Sequence, residues 1–109
     1  MLGQISRNFE LRKPLLSRAH ELIRDPRSWT RLTTARDHLD RPVQPVSPEA
    51  KSFCGLGALV RAAFEQGLSE RWLHEIFGTA SLSLLIKTND EHGHGAVLCF
   101  LEDLGDPPQ

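Results

Sequence analysis

Five side chains in this sequence could together carry out covalent chemistry. Cys54 lies within KSFCGLGALVRAAF (51–64), and about thirty-five residues later TNDEHGHG supplies Asn89, Asp90, His92 and His94. A cysteine attacks through its thiolate, which a helix N-terminus, a nearby cation or an imidazole stabilises. With His92 or His94 as the base and Asn89 or Asp90 orienting it, Cys54 satisfies the formula of a thiol-dependent hydrolase or transferase. Asp90, His92 and His94 also alternate, so an extended backbone would turn a carboxylate and two imidazoles to one side, as a divalent metal requires. Gly93 and Gly95 work against such a preorganised ligand set, and no metal or other cofactor is expected. The commonplace role of Asn89 and Asp90 is to cap the following helix through their side-chain oxygens.

Whether Cys54 is activated depends on where its helix begins. Ser47 as cap and Pro48 at the first position predict a central helix over 48–66, with Phe53, Gly57, Val60 and Phe64 on one core-facing line. In that helix Cys54 lies seven residues from the cap, beyond the first turn in which the helix dipole acts. A start at Ser52 would instead place the thiol in the first turn and favour its ionisation. Each glycine of Gly55 and Gly57 costs the helix about 1 kcal/mol against alanine, so something must approach closely to offset that cost. Cys54, Gly57 and Ala58 then form a shallow trough bordered by Trp29, Arg36 and Asp37. A neighbouring helix or the proline loop could fill it, as could a partner segment or a small ligand. Arg36 and Asp37 are adjacent, and a buried ion pair to other helices is their expected role rather than catalysis.

The remaining segments supply the frame. Leu15, Leu16, Ala19, Leu22 and Ile23 recur at helical spacing over 14–24, with Pro14 in the first turn and Asp25-Pro26 as the stop. Residues 27–37 could form a short helical turn. Three prolines in RPVQPVSP (41–48) make 41–47 an extended loop. Ser69 and Gly78 bound a helix over 70–77, and Val97, Leu101 and Leu104 mark another over 95–104. SLSLLIKT fits a helix or a strand, but an isolated strand has no partner, so 81–88 is read as helix. The sum is one all-α domain over 1–109 of four or five helices, with a proline-rich loop between its halves.

With 109 residues, 39% hydrophobic and 25% charged, the chain can bury a modest core. It has no apolar run near the ~18–20 residues of a membrane span. The N-terminal MLGQISRNFELRKP does not read as a secretory signal, so a cytoplasmic setting with both cysteines reduced is expected. Residues 1–46 carry nine Lys/Arg against five Asp/Glu (+4), and residues 47–109 carry four against nine (−5). That split could orient the protein on a nucleic acid, on another protein or head to tail on a second copy, although the arginines follow no single helical stripe.

The order W(29)…ARD(35–37)…FC(53–54)xxGAL(57–59)…ND(89–90)…V(97)…L(101) resembles an uncharacterised family of short bacterial and phage proteins, from about Leu15 to Leu104. The resemblance implies a small helical domain and brings no activity, cofactor or catalytic residue. His92 and His94 lie outside its pattern. The expected function is therefore a non-enzymatic binding or regulatory module with a protein or small-ligand partner. Thiol chemistry at Cys54 and nucleic-acid binding by the basic half are the alternatives.

Overall fold

A computed structural model describes the backbone of residues 2–105 and the side chains of residues 10–105. Among the described residues there are five helices: α1 (Leu2–Ile23), α2 (Gly55–Glu65), α3 (Arg71–Phe77), α4 (Thr79–His92) and α5 (His94–Gly105). The all-α reading holds, and no helix among the described residues is long and apolar enough to cross a membrane.

Helix α1 packs most extensively against α2 and α5. It does not begin at Pro14 but runs through it. Proline cannot donate to the carbonyl four residues back, a loss normally worth ~3 kcal/mol inside a helix. Leu11 on the N-terminal side of Pro14 and Leu15, Leu16, Ala19 and Ile23 on the other side all pack on the core, so the apolar face is continuous across the proline. Asp25 ends the helix region as expected, its carboxylate accepting from the Arg27 amide at 2.9 Å to start the 3-10 turn Pro26–Ser28.

The central helix corrects the expected boundaries most. It begins at Gly55 rather than near Pro48, because the preceding residues pair with another segment. Strand β1 (Ala35–Arg36) runs antiparallel to β2 (Ser52–Phe53), with Ala35 opposite Phe53. The Lys51 amide reaches the Arg36 carbonyl at 2.8 Å. Ser47 still caps, but only a local turn, accepting from the Glu49 amide at 3.1 Å. Phe53 is consequently buried from a strand, and Phe64, expected in the core, is 54% exposed.

The other boundaries shift less. Helix α3 matches 70–77 closely, and Gly78, at φ 87°, ends it and leads directly into α4. The ambiguous 81–88 segment is helical, as expected, within a longer α4. The TNDEHGHG stretch is not a loop: Thr88 to His92 complete α4, Gly93 turns the chain at φ 94°, and His94 opens α5. A tight two-helix corner replaces the flexible loop. Asn89 and Asp90 therefore stand in the last turns of α4 and do not cap α5.

Candidate functional site

Cys54 is the N-cap of α2. Its extended backbone (φ −80°, ψ 174°) turns the Sγ back to accept from the Gly57 amide at 3.2 Å. The side chain is buried, and burial pushes the thiol above its ordinary range despite the opposing hydrogen bonds from the Gly57 and Leu56 amides. A helix N-terminus favours a thiolate, but here desolvation outweighs it.

The expected partners of Cys54 are otherwise engaged. His94 Nε2 donates to the Ile23 carbonyl at 2.6 Å, and its ring leans on Trp29 at 5.5 Å between centroids. His92 is exposed at the end of α4. Neither imidazole is hydrogen-bonded to Cys54, and no group of three metal-ligating side chains forms among the described residues, so Asp90, His92 and His94 do not converge. Asn89 does lie beside the start of α2, but as a structural amide: its Oδ1 accepts from the Gly55 amide at 2.9 Å and from Trp29 Nε1 at 2.7 Å.

The trough over Gly57 is filled by the protein itself. A Cβ on Gly57 would come within 1.9 Å of the Thr34 carbonyl oxygen, and one on Gly55 within 2.7 Å of Val97 Cγ2. Ala58 is fully buried. The two glycines admit the β1 segment and the α4–α5 pair, so Cys54, Gly57 and Ala58 do not present an open binding surface. Trp29 bonds Asn89 beside this contact, whereas Arg36 and Asp37 act on the loops outside it.

Those loops are held by two side chains of their own. Among the described residues Arg36 makes no ion pair to a helix, and its Nε lies 3.9 Å from Asp40 Oδ1. Its Nε donates to Thr30 Oγ1 at 2.8 Å, Nη1 to the Asp40 carbonyl at 3.1 Å and Nη2 to the Arg31 carbonyl at 3.4 Å. One planar guanidinium thus clamps two loop tips. Asp37 also stays local. Its carboxylate accepts from the Leu39 and Arg41 amides and from Arg41 Nε, all at 2.9 Å. The hydrogen bond from the Arg41 amide leads in holding it below the usual carboxylate range.

Each clamped loop contains a non-glycine residue in left-handed conformation, Leu32 at φ 69° and Asp40 at φ 65°. Leu32 is held there by its amide, which donates to Asp90 Oδ1 at 3.0 Å. Asp90 Oδ1 in turn accepts from Asn89 Nδ2 at 3.0 Å, and Asn89 Nδ2 also reaches the Thr30 carbonyl at 3.1 Å. Two apolar side chains are displayed on this frame, Leu32 at 75% and Leu39 at 59% exposure, beside the exposed Arg31, His38, Asp40 and Arg41. Residue types alone gave no sign of Leu32. The Asp37-x-Leu39-x-Arg41 spacing did contain the signature of a side-chain-closed turn.

Three arginines of the basic half are paired within the fold. Arg18 is paired with Glu65 at 2.8 Å, Arg27 with Asp25 at 2.8 Å and Arg41 with Asp37 at 2.9 Å. Arg12 lies over the Phe77 ring at 5.2 Å. Compared with family models, with curated proteins and with solved structures, the chain matches none. The resemblance drawn from W(29)…ARD…FCxxGAL…ND therefore adds no activity to this geometry.

Proposed function

We propose that this protein is a non-enzymatic binding module acting in the cytoplasm, which engages a partner protein through the double loop displaying Leu32 and Leu39. The observation that carries this reading is Leu32: a large apolar side chain, 75% exposed, in a conformation that L-residues avoid, fixed by the Asp90 carboxylate and the Arg36 clamp. Holding a non-glycine residue there costs ~1–3 kcal/mol, and such strain concentrates where a side chain must be presented to a partner. Rigid presentation also lowers the entropic cost of association. The buried thiol at Cys54 and the paired arginines lend less support to thiol chemistry and to nucleic-acid binding.

The test is a photo-crosslinking amino acid placed singly at positions 32, 39 and 75 in cells that carry the protein. Position 75 is an exposed control on α3. A discrete adduct from 32 and 39 that is absent from 75 supports the reading. Identical patterns at all three positions, or no adduct at 32 and 39, overturn it.

A further inference from the structure

Beyond the double loop, the same part of the chain borders a groove of about 390 Å³, within the ~300–1,000 Å³ of ligand-binding clefts. Its apolar lining comes from Val46 on the proline-rich loop, from Val60 and Phe64, four residues apart on α2, and from Leu68. Phe64 is 54% exposed and Val46 37%, so an occupant would remove apolar surface from water that folding leaves uncovered. The wall formed by the proline-rich loop is already fixed. Arg61 Nη1 donates to the Pro45 carbonyl at 3.2 Å and to the Ser47 carbonyl at 2.9 Å, tying the loop to α2.

Three lining side chains, Thr34, Gln44 and Ser69, have no side-chain hydrogen bond among the described residues. They offer donors and acceptors along an apolar channel. An extended peptide backbone, with its alternating N–H and C=O groups, can satisfy them, whereas a purely hydrocarbon occupant would bury them unpaired at a cost of ~1–3 kcal/mol each. Glu70 is the only ionisable residue lining the groove, among the described residues. Its carboxylate favours a cationic neighbour.

We infer that this groove receives an extended apolar segment of a partner protein with a Lys or Arg next to its apolar anchor. This deepens the binding-module reading and rests on it, naming the chemistry of the partner.

The test uses fluorescein-labelled nine-residue peptides with a central Leu-Val-Leu anchor flanked by Lys, Ala or Glu, titrated by fluorescence polarisation against the full chain. The Lys-flanked peptide should bind at least tenfold more tightly than the Glu-flanked one. Glu70→Gln should level that preference, and Phe64→Glu, a change at an exposed position, should abolish binding with an unaltered circular dichroism spectrum. Absence of binding by every peptide at millimolar concentration, a preference unchanged in Glu70→Gln, or full binding by Phe64→Glu would overturn the inference. Sedimentation velocity covers the remaining occupant: a dimer that Phe64→Glu dissolves would assign the groove to a second copy of the chain and overturn it as well. Crosslinking from positions 32 and 39 reads the parent proposal separately, so peptides that fail to bind while those adducts persist would remove the groove and leave the double loop.

Discussion

The indole Nε1 of Trp29 donates a 2.7 Å hydrogen bond to Oδ1 of Asn89, sixty residues further along the chain. The same oxygen accepts the first amide of α2, from Gly55, and the amide nitrogen of Asn89 returns to the Thr30 carbonyl. One fully buried side chain therefore joins the end of α4, the start of α2 and the segment leading to the double loop. Asn89→Ala would leave the Gly55 amide, the Trp29 indole and the Thr30 carbonyl without that partner. At ~1–3 kcal/mol for each buried group left unsatisfied, we expect a loss of about 3 kcal/mol or more in urea unfolding. A loss below 1 kcal/mol would mean that water replaces the amide.

The two glycines near the start of α2 should behave differently. A methyl on Gly57 meets the Thr34 backbone oxygen at 1.9 Å, and β1 cannot retreat without losing its pairing to β2. A methyl on Gly55 meets the ends of Val97 and Leu85 at 2.7 and 2.9 Å, side chains that can turn aside. Gly55→Ala should cost about 1–3 kcal/mol, in the range of ordinary overpacking. Gly57→Ala should cost more than Gly55→Ala or prevent folding. Thermal melts of the two variants side by side check the order.

Thiol labelling should separate the two cysteines. Cys99 is exposed on α5 and Cys54 is buried, with its thiol pushed upward by desolvation. At neutral pH iodoacetamide should modify Cys99 quickly. In a Cys99→Ala background Cys54 should react slowly, its rate rising only in alkali or on unfolding. Fast labelling of Cys54 that persists below the ordinary cysteine pKa of ~8.5 would reopen the thiol-enzyme reading.

How much of this was legible in the residues depends on the range of the interactions. Helices α3 and α5 follow from local periodicity and lie within one residue of the expected bounds, whereas α4 runs past the expected 81–88 through the stretch read as a loop. The start of α2 was not legible, because Ser47-Pro48 is a good local cap and only the distant pairing of Ser52–Phe53 with Ala35–Arg36 overrides it. Asn89 was singled out for its chemistry and proved important for its position, reaching backbone and indole groups that no spacing rule connects. The trough was inferred correctly as a place of close approach. What fills it, the Thr34 carbonyl, required the fold.

Acid should weaken the tie between α1 and α2. Arg18 Nε and Nη2 donate to the two Glu65 oxygens at 2.8 and 3.2 Å, and the hydrogen bond from Arg18 leads in holding the Glu65 carboxyl below its ordinary range. A carboxylate with a lowered folded pKa stabilises the protein above the unfolded value of ~4.3, and that contribution is lost as pH falls through the folded value. Both side chains are about a third exposed, so the difference between wild type and Glu65→Gln should be of order 1 kcal/mol or less at pH 7. The difference should shrink toward zero on titration below pH ~4. A difference that stays constant down to pH 3 would assign the effect to packing.

Leu32 should show stability and presentation working against each other. At φ 69° an L-residue incurs a cost of ~1–2 kcal/mol that glycine avoids, while glycine has ~0.5–1 kcal/mol more chain entropy to lose on folding. Because the side chain is mostly exposed, little packing is lost with it. Leu32→Gly should therefore raise stability by up to about 1 kcal/mol, whereas Leu32→Ala, which retains the strain, should leave it within about 0.5 kcal/mol of wild type. On the binding-module reading both variants should also lose affinity for the crosslinked partner. A stabilised Leu32→Gly that still captures that partner fully would show that the left-handed leucine is not what the partner recognises, and the clamp of Arg36 on the Arg31 and Asp40 carbonyls would then serve the loop alone.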